Sequence, residues 1–399
     1  FDYEHEVSAN ISFGGNIFYR KNKTDSFNGD GSEFAVCSLG GMPQLLDEIE
    51  EDDLEELGLI DSDICSNQFA NSDALEVFLN QTASMLNLDA EFNLENFTDD
   101  ISGSGILSDE GINNLSDRAQ ESVGADFQWT IRGNFLGYSS QVIAGGAYYR
   151  GESNFNSVLE LAELDPISRL TLGRGTGTFV DSEATSINTK TESSSLYITN
   201  TMDLSSTLAL TLSARGNYTN VVLHDRSGAR PELNGDHDFP RVNPSLGLTW
   251  QASDSHTLYT SYSESSRTPT PIELACNEGV FDLAVAFAIE AGEDPGDVDL
   301  ECRLPNAFLA DPPLDDVIAK SFELGSRGFI KDIAYSLGLF HTVNKDDILF
   351  QTTGRSTGLF ANVDKTRRAG IESSLQGKWR GFSWLAAYSY IDATFEDNF

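Results

Sequence analysis

Runs of alternating side chains, joined by connections that are short and long in strict turn, constrain this chain more than any other feature. Leu208, Leu210, Leu212, Ala214, Gly216 and Tyr218 share one parity, and Thr211, Ser213, Arg215, Asn217 and Thr219 the other. A second run sets Phe127, Trp129, Ile131 and Phe135 against Asp126, Gln128, Thr130, Arg132 and Asn134. A third sets Leu246, Leu248 and Trp250 against Ser245, Gly247, Thr249 and Gln251. Alternation of this kind marks β-strands with one apolar and one polar face. Short turns fall at 8–10, 136–140, 204–206, 252–255, 330–332 and 378–381. Between them lie long connections at 28–122, 151–185, 227–239, 267–317 and 352–358. Eleven connections imply about twelve strands.

A soluble sandwich also alternates, but its strands average about 5–6 residues and its long loops have no reason to gather at one end. Here the runs reach the roughly 9–11 residues that cross a bilayer, with aromatic residues near their ends. The expected fold is all-β: an antiparallel transmembrane β-barrel segment with short periplasmic turns and long extracellular loops. Leu208, Leu210, Leu212, Leu246, Leu248, Trp129 and Ile131 are then expected to face lipid, and Arg132, Arg215 and Arg327 the lumen. No stretch approaches the roughly 18 apolar residues of a transmembrane helix. The parity of the connections places both chain ends on the long-loop side, as expected of an internal piece of a larger barrel.

Charge singles out one connection. The chain carries a formal charge of −38, and residues 28–122 hold 23 acidic residues against one basic residue, Arg118. That segment reads as a long acidic extracellular loop inserted on a scaffold of different composition. Within it, 44–57 and 74–86 have helical pattern, as does 281–290 further on. So negative a chain repels phosphate backbones, which argues against nucleic acid as a partner.

The four cysteines form two local pairs, Cys37 with Cys65 and Cys276 with Cys302, without metal-site spacing. Two disulfides, each inside one loop, are expected in an oxidising compartment; free buried thiols are the alternative. The acidic run 47–53 lacks EF-hand spacing and reads as a solvated helix face, and NGDHD at 234–238 reads as a loop tip. No two histidines have HExxH spacing, and no nucleophile elbow, Walker loop or dinucleotide fingerprint occurs in a strand-to-helix context. Neither a metal, a cofactor nor an enzymatic activity is expected.

Several stretches resemble the TonB-dependent outer-membrane receptors. They are 258–271 (LYTSYSESSRTPTP), 320–328 (KSFELGSRG) followed by DILF at 347–350, and 362–372 (NVDKTRRAGIE). Tyr19-Arg20 leading to FNGD at 27–30 is similar to a hairpin in receptors of the ferric-citrate type. The resemblance implies that residues 1–399 form part of such a barrel, embedded in outer-membrane lipid, with no plug domain visible. It implies energy-coupled uptake of a scarce nutrient such as a ferric siderophore or a ferric citrate-like chelate. The TonB complex would act through the plug. A passive porin-type channel is the alternative. Ligand-contacting residues are not indicated, and Arg267 is expected to be structural.

Overall fold

A pleated backbone sends successive side chains to opposite faces, and the computed structural model carries that pattern through twelve consecutive strands. It describes residues 1–49, 51–60, 64–65, 68–88, 92–228, 234–274, 314–352 and 358–396. The early strands are β1 (Asp2–Ser8), β2 (Ile11–Gly31), β3 (Phe34–Leu39), β4 (Met42–Asp47), β5 (Ile101–Gly103), β6 (Gly111–Phe135), β7 (Tyr138–Ala162) and β8 (Gly175–Asp203). There follow β9 (Leu208–Asp225), β10 (Gly235–Ser253), β11 (His256–Arg267), β12 (Val317–Ile330), β13 (Ile333–Thr352), β14 (Gly358–Trp379) and β15 (Phe382–Phe395). The main sheet runs β1-β2-β6-β7-β8-β9-β10-β11-β12-β13-β14-β15, each strand antiparallel to its neighbour. Short β5 adds to β8, and β3 pairs with β4 in a separate hairpin.

All six expected short turns are present. Two show why they are tight: Leu136–Gly137 and Arg380–Gly381 have positive φ at both positions. Such primed two-residue turns match the twist of the flanking strands.

Register aligns the apolar parity from strand to strand. Ile131 pairs with Val142, Trp129 with Ala144, Leu212 with Leu246, and Leu324 with Leu339. On β9 the apolar parity runs from Leu208 to Tyr218, and on β10 from Trp250 back to Pro240. About eleven residues at roughly 3.3 Å each, tilted near 45°, span about 25 Å, the height of the lipid-facing band of such barrels. Above it the same face turns charged within one residue pair: Lys21 with Glu121, Arg150 with Glu192, and Arg367 with Asp392. Phe135, Trp250, Trp379 and Phe382 gather at the turn end of this face, while Tyr148, Tyr218 and Tyr262 border the charged rows. Leu212 is 45% and Leu246 47% exposed, and Trp129, Ile131 and Leu248 are exposed as well. Leu208 and Leu210 depart from that expectation and are half-buried, because Trp250, Met202 and Leu248 flank them across the sheet.

The strands overrun the band. β6 and β7 pair without a break from the turn to Gly111 and Ala162, so the connection expected at 151–185 shortens to 163–174. Likewise β2 and β6 pair as far as Gly31 with Gly111, which leaves 32–110 outside the ladder rather than 28–122. Above the bilayer both faces meet water, the apolar alternation fades, and strand ends stop being legible from sequence. Gly235 to Asp238, expected as part of a loop tip, opens β10 for the same reason.

The described residues of 32–110 fold around a core of their own. Helix α1 (Glu51–Leu57) and helix α2 (Ser72–Leu86) pack with β3 and β4 around Leu39, Leu46, Leu54, Leu75, Leu79 and Ala83. The side chain of Asn71 caps α2 by accepting from the Ala74 amide, 3.1 Å. The Cys37–Cys65 disulfide, with Cα atoms 4.3 Å apart, ties β3 to the segment between the helices. The helical pattern expected over 44–57 is half wrong. Gly40 and Gly41, both at positive φ, turn the chain so that 42–47 pairs back on β3, and helix begins only at Glu51. The other cysteine pair, Cys276 and Cys302, and the helical pattern at 281–290 lie outside the described residues.

Candidate functional site

The parity opposite the lipid-facing band is polar and partly self-satisfied. Thr199 and Ser213 share a hydrogen bond across β8 and β9, as do Thr201 and Thr211, and Tyr197 Oη donates to Gln128 Oε1 at 3.2 Å. Arg132, Arg215 and Arg327 all fall on this parity, and all are exposed. Arg215 lies at mid-strand, donating to Ser195 Oγ at 2.7 Å and Asn217 Oδ1 at 2.8 Å, with its guanidinium 5.6 Å from the Tyr197 ring centre. Arg327 lies 5.8 Å from the Tyr259 ring, close to the 331–332 turn, and Arg132 sits close to the 136–137 turn. They occupy β6, β9 and β12, each three strands from the next. At about 4.8 Å per strand, roughly 14 Å separates neighbours in that series. The three arginines are therefore not brought together.

At the loop end the same face turns apolar. Ile187 of β8, Val221 and Leu223 of β9, Phe239 of β10, Val317 of β12 and Ile348 of β13 form one buried cluster. Side chains from strands so far apart meet only if the sheet curls toward this face, which is therefore concave. Leu274 and Leu314, from the two described ends of the 268–316 connection, complete the cluster. A second cluster docks the acidic insert: Phe34, Leu45 and Phe97 pack on Ile112, Leu159, Leu161 and Val180 of the overrunning strands. Both belong to the polar parity of their strands, so insert and connection lean over the concave mouth.

A clasp holds the connection in place. Arg267, at the end of β11, donates to both carboxylate oxygens of Glu273 at 3.0 and 2.8 Å. The Thr270 amide and hydroxyl add bonds of 2.7 and 2.8 Å. Burial alone would push the Glu273 carboxyl up; the Arg267 and Thr270 donors outweigh it and hold the carboxyl below its usual range. The short helix α3 (Pro271–Leu274) is thereby fixed, with Leu274 in the apolar cluster. Arg267 thus anchors the start of the 268–316 connection.

Beneath α3 is a cavity of about 310 Å3 on the concave wall. Two rows of cross-strand partners line it. One is Arg20, Ser122, Gly151 and Thr191; the next is Asn22, Gln120, Ser153 and Thr189. Tyr149 and Pro271 close its lower and upper ends. Sequence reasoning did not assemble this site. The parity of Ser12, Gly14, Asn16, Phe18 and Arg20 places Arg20 on the polar face, but the grouping depends on the register of four strands that span 170 residues of chain. Among the described residues, no group of three His, Cys, Asp or Glu side chains is placed to hold a metal ion.

A family model described as TonB dependent receptor-like, β-barrel, matches residues 4–399. Among solved structures, the chain is similar to the siderophore receptor PiuA from Acinetobacter baumannii, at 13% identity and a TM-score of 0.54, covering 100% of this chain and 46% of that one. It is similar to the unliganded ferric citrate transporter FecA, at 12% and 0.54, covering 98% and 41%. It is also similar to the ferric-catecholate import receptor Fiu from Escherichia coli K12, at 12% and 0.53, covering 99% and 47%. The chain thus spans less than half the length of each.

Proposed function

The chain belongs to the TonB-dependent receptor β-barrel family, and from that premise we propose that it is part of the wall of an outer-membrane importer for a scarce nutrient chelate. The ligand class is a ferric siderophore or a ferric citrate-like chelate. Uptake is transport, not catalysis, and is driven by the TonB complex through a plug domain supplied by another part of the full-length receptor. The observation that carries this reading is the pairing of a lipid-height apolar band on one face with a concave, arginine-bearing face that opens under the loops. The insert at 32–110 is the receptor's acidic extracellular domain, and Arg132, Arg215 and Arg327 contribute positive potential along the path of an anionic chelate. A passive porin is disfavoured by the family match across residues 4–399.

The test is uptake of 55Fe-labelled chelates by cells whose only outer-membrane iron receptor is the full-length protein, with TonB present or deleted. Saturable uptake that disappears without TonB is expected. Uptake that persists without TonB and rises linearly with chelate concentration would identify a passive channel instead.

A further inference from the structure

We infer that the cavity under α3 is a binding subsite for an oxygen-rich hydroxy carboxylate, with Arg20 taking a carboxylate and the neighbouring hydroxyl and amide side chains taking the remaining oxygen atoms. The inference rests on the importer reading and deepens it by naming the ligand chemistry.

Three observations carry it. First, Arg20 lines the cavity and makes no ion pair among the described residues, in a chain of net charge −38. Glu121, which also borders the cavity, lies on the outer parity and is bonded there to Lys21. Glu152, which borders the cavity, accepts from Asn188 at 3.2 Å on that same outer side. A planar guanidinium that makes no ion pair, set in a cavity, matches a carboxylate in the two-pronged geometry that lysine cannot reproduce.

Second, apart from Glu121 and Glu152, whose side chains belong to the outer parity and are bonded there, the polar lining is neutral and two-sided in its hydrogen bonding. Asn22, Gln120, Ser122, Ser153, Thr189 and Thr191 each offer both donor and acceptor atoms, as a hydroxyl-rich ligand does. They come from four adjacent strands in two aligned rows, so the wall presents a regular grid of such groups. At about 310 Å3 the space lies at the lower end of small-molecule sites. It fits a compact hydroxy acid or one acidic sugar ring.

Third, the aromatic floor is built by glycine. The Tyr149 ring lies across Gly151, where a Cβ would come 2.5 Å from the Tyr149 hydroxyl oxygen. Phe18 lies across Gly124 in the same way, and the Phe18 and Tyr149 rings are 6.4 Å apart. Flat rings at the base of a polar cavity offer a stacking surface to the apolar face of a ligand ring. Pro271, held by the Arg267–Glu273 clasp, is the roof.

One ligand chemistry has two sources here, an iron complex of a hydroxy acid and a free acidic sugar. Binding of 55Fe-citrate, 14C-galacturonate and a neutral 55Fe-trihydroxamate is measured by equilibrium dialysis on the full-length receptor in nanodiscs. Wild type is compared with Arg20→Ala, Arg20→Lys and Gly151→Ala, each checked for folding by the heat-modifiable gel shift of barrels. Arg20→Ala is expected to weaken the carboxylate ligand about ten- to a hundredfold, the range of a lost charge-assisted hydrogen bond. Arg20→Lys recovers part of the loss, Gly151→Ala weakens binding severalfold by lifting Tyr149, and the trihydroxamate is unaffected. Whichever of ferric citrate and galacturonate shows this pattern is the source. Unchanged carboxylate binding in Arg20→Ala and Gly151→Ala would overturn the subsite, as would an equal loss for the trihydroxamate. Wild type that binds neither carboxylate also overturns it, while TonB-dependent uptake of the trihydroxamate would leave the importer reading standing. Binding of galacturonate alone would keep the subsite and remove the iron chelate.

Discussion

Replacing Leu212 by arginine tests which face of the sheet meets lipid. Leu212 sits midway along the apolar parity of β9, between Leu208 at the turn and Tyr218 beside the charged rows, and pairs with Leu246. A cation on the lipid face at the bilayer midplane costs about 2–4 kcal/mol, and only about 0–1 near the interfaces. At 1.36 kcal/mol per tenfold, Leu212→Arg should lower the folding equilibrium constant about 30- to 1,000-fold, whereas Tyr218→Arg should shift it about fivefold or less. Ser213→Arg, one residue away on the polar face beside Thr199, should be close to neutral, because its charge enters water. The assay is reversible guanidinium unfolding of the full-length receptor in liposomes, followed by the gel shift between folded and unfolded forms. A costly Ser213→Arg with a harmless Leu212→Arg would refute the assignment of faces, since that is the pattern of a soluble sheet with a dry interior on the polar parity.

Cys37→Ser should destabilise the 32–110 insert by about 3–4 kcal/mol, the chain-entropy value for a loop of about 28 residues, while leaving barrel unfolding unchanged; differential hydrogen exchange of insert and strands checks both halves. Removing the helix cap by Asn71→Ala should cost about 1 kcal/mol, read as faster exchange across α2 and nowhere else. The clasp carries a pH dependence with a definite sign. Glu273 is held below its usual range when folded, so its contribution is complete at neutral pH and is lost as pH falls through the lowered value. A spin label on α3 should therefore gain mobility as pH falls below the ordinary glutamate range, and Glu273→Gln should show that mobility already at neutral pH.

Legibility in the sequence followed the solvent. Inside the bilayer the two faces of each strand meet opposite media, so the parity of Leu208 to Tyr218 and the turn at Leu136–Gly137 could be read directly. Above the charged rows both faces meet water, and the pairing of Gly31 with Gly111 could not be told from loop. In the acidic insert, Leu45 lies in strand β4 while Leu54 lies in helix α1, yet both occur in one apolar-acidic rhythm. The hairpin pairing that decides between them is set by Gly40 and Gly41, not by that rhythm. The cavity was hidden for another reason. Arg20 and Thr191 are brought onto one wall by register alone, through Ser122 and Gly151.

The central claim is that alternate residues of the same strand meet lipid and water, and spin-label accessibility along β9 tests it most directly. Single labels from Leu208 to Thr219 of the full-length receptor in liposomes are compared for collision with oxygen, which concentrates in lipid, and with a water-soluble nickel chelate. Oxygen collisions should peak at Leu210, Leu212 and Ala214, and nickel collisions at Thr211, Ser213 and Arg215, with the contrast fading beyond Tyr218. Oxygen peaks at Thr211, Ser213 and Arg215, or no alternation at all, would contradict it.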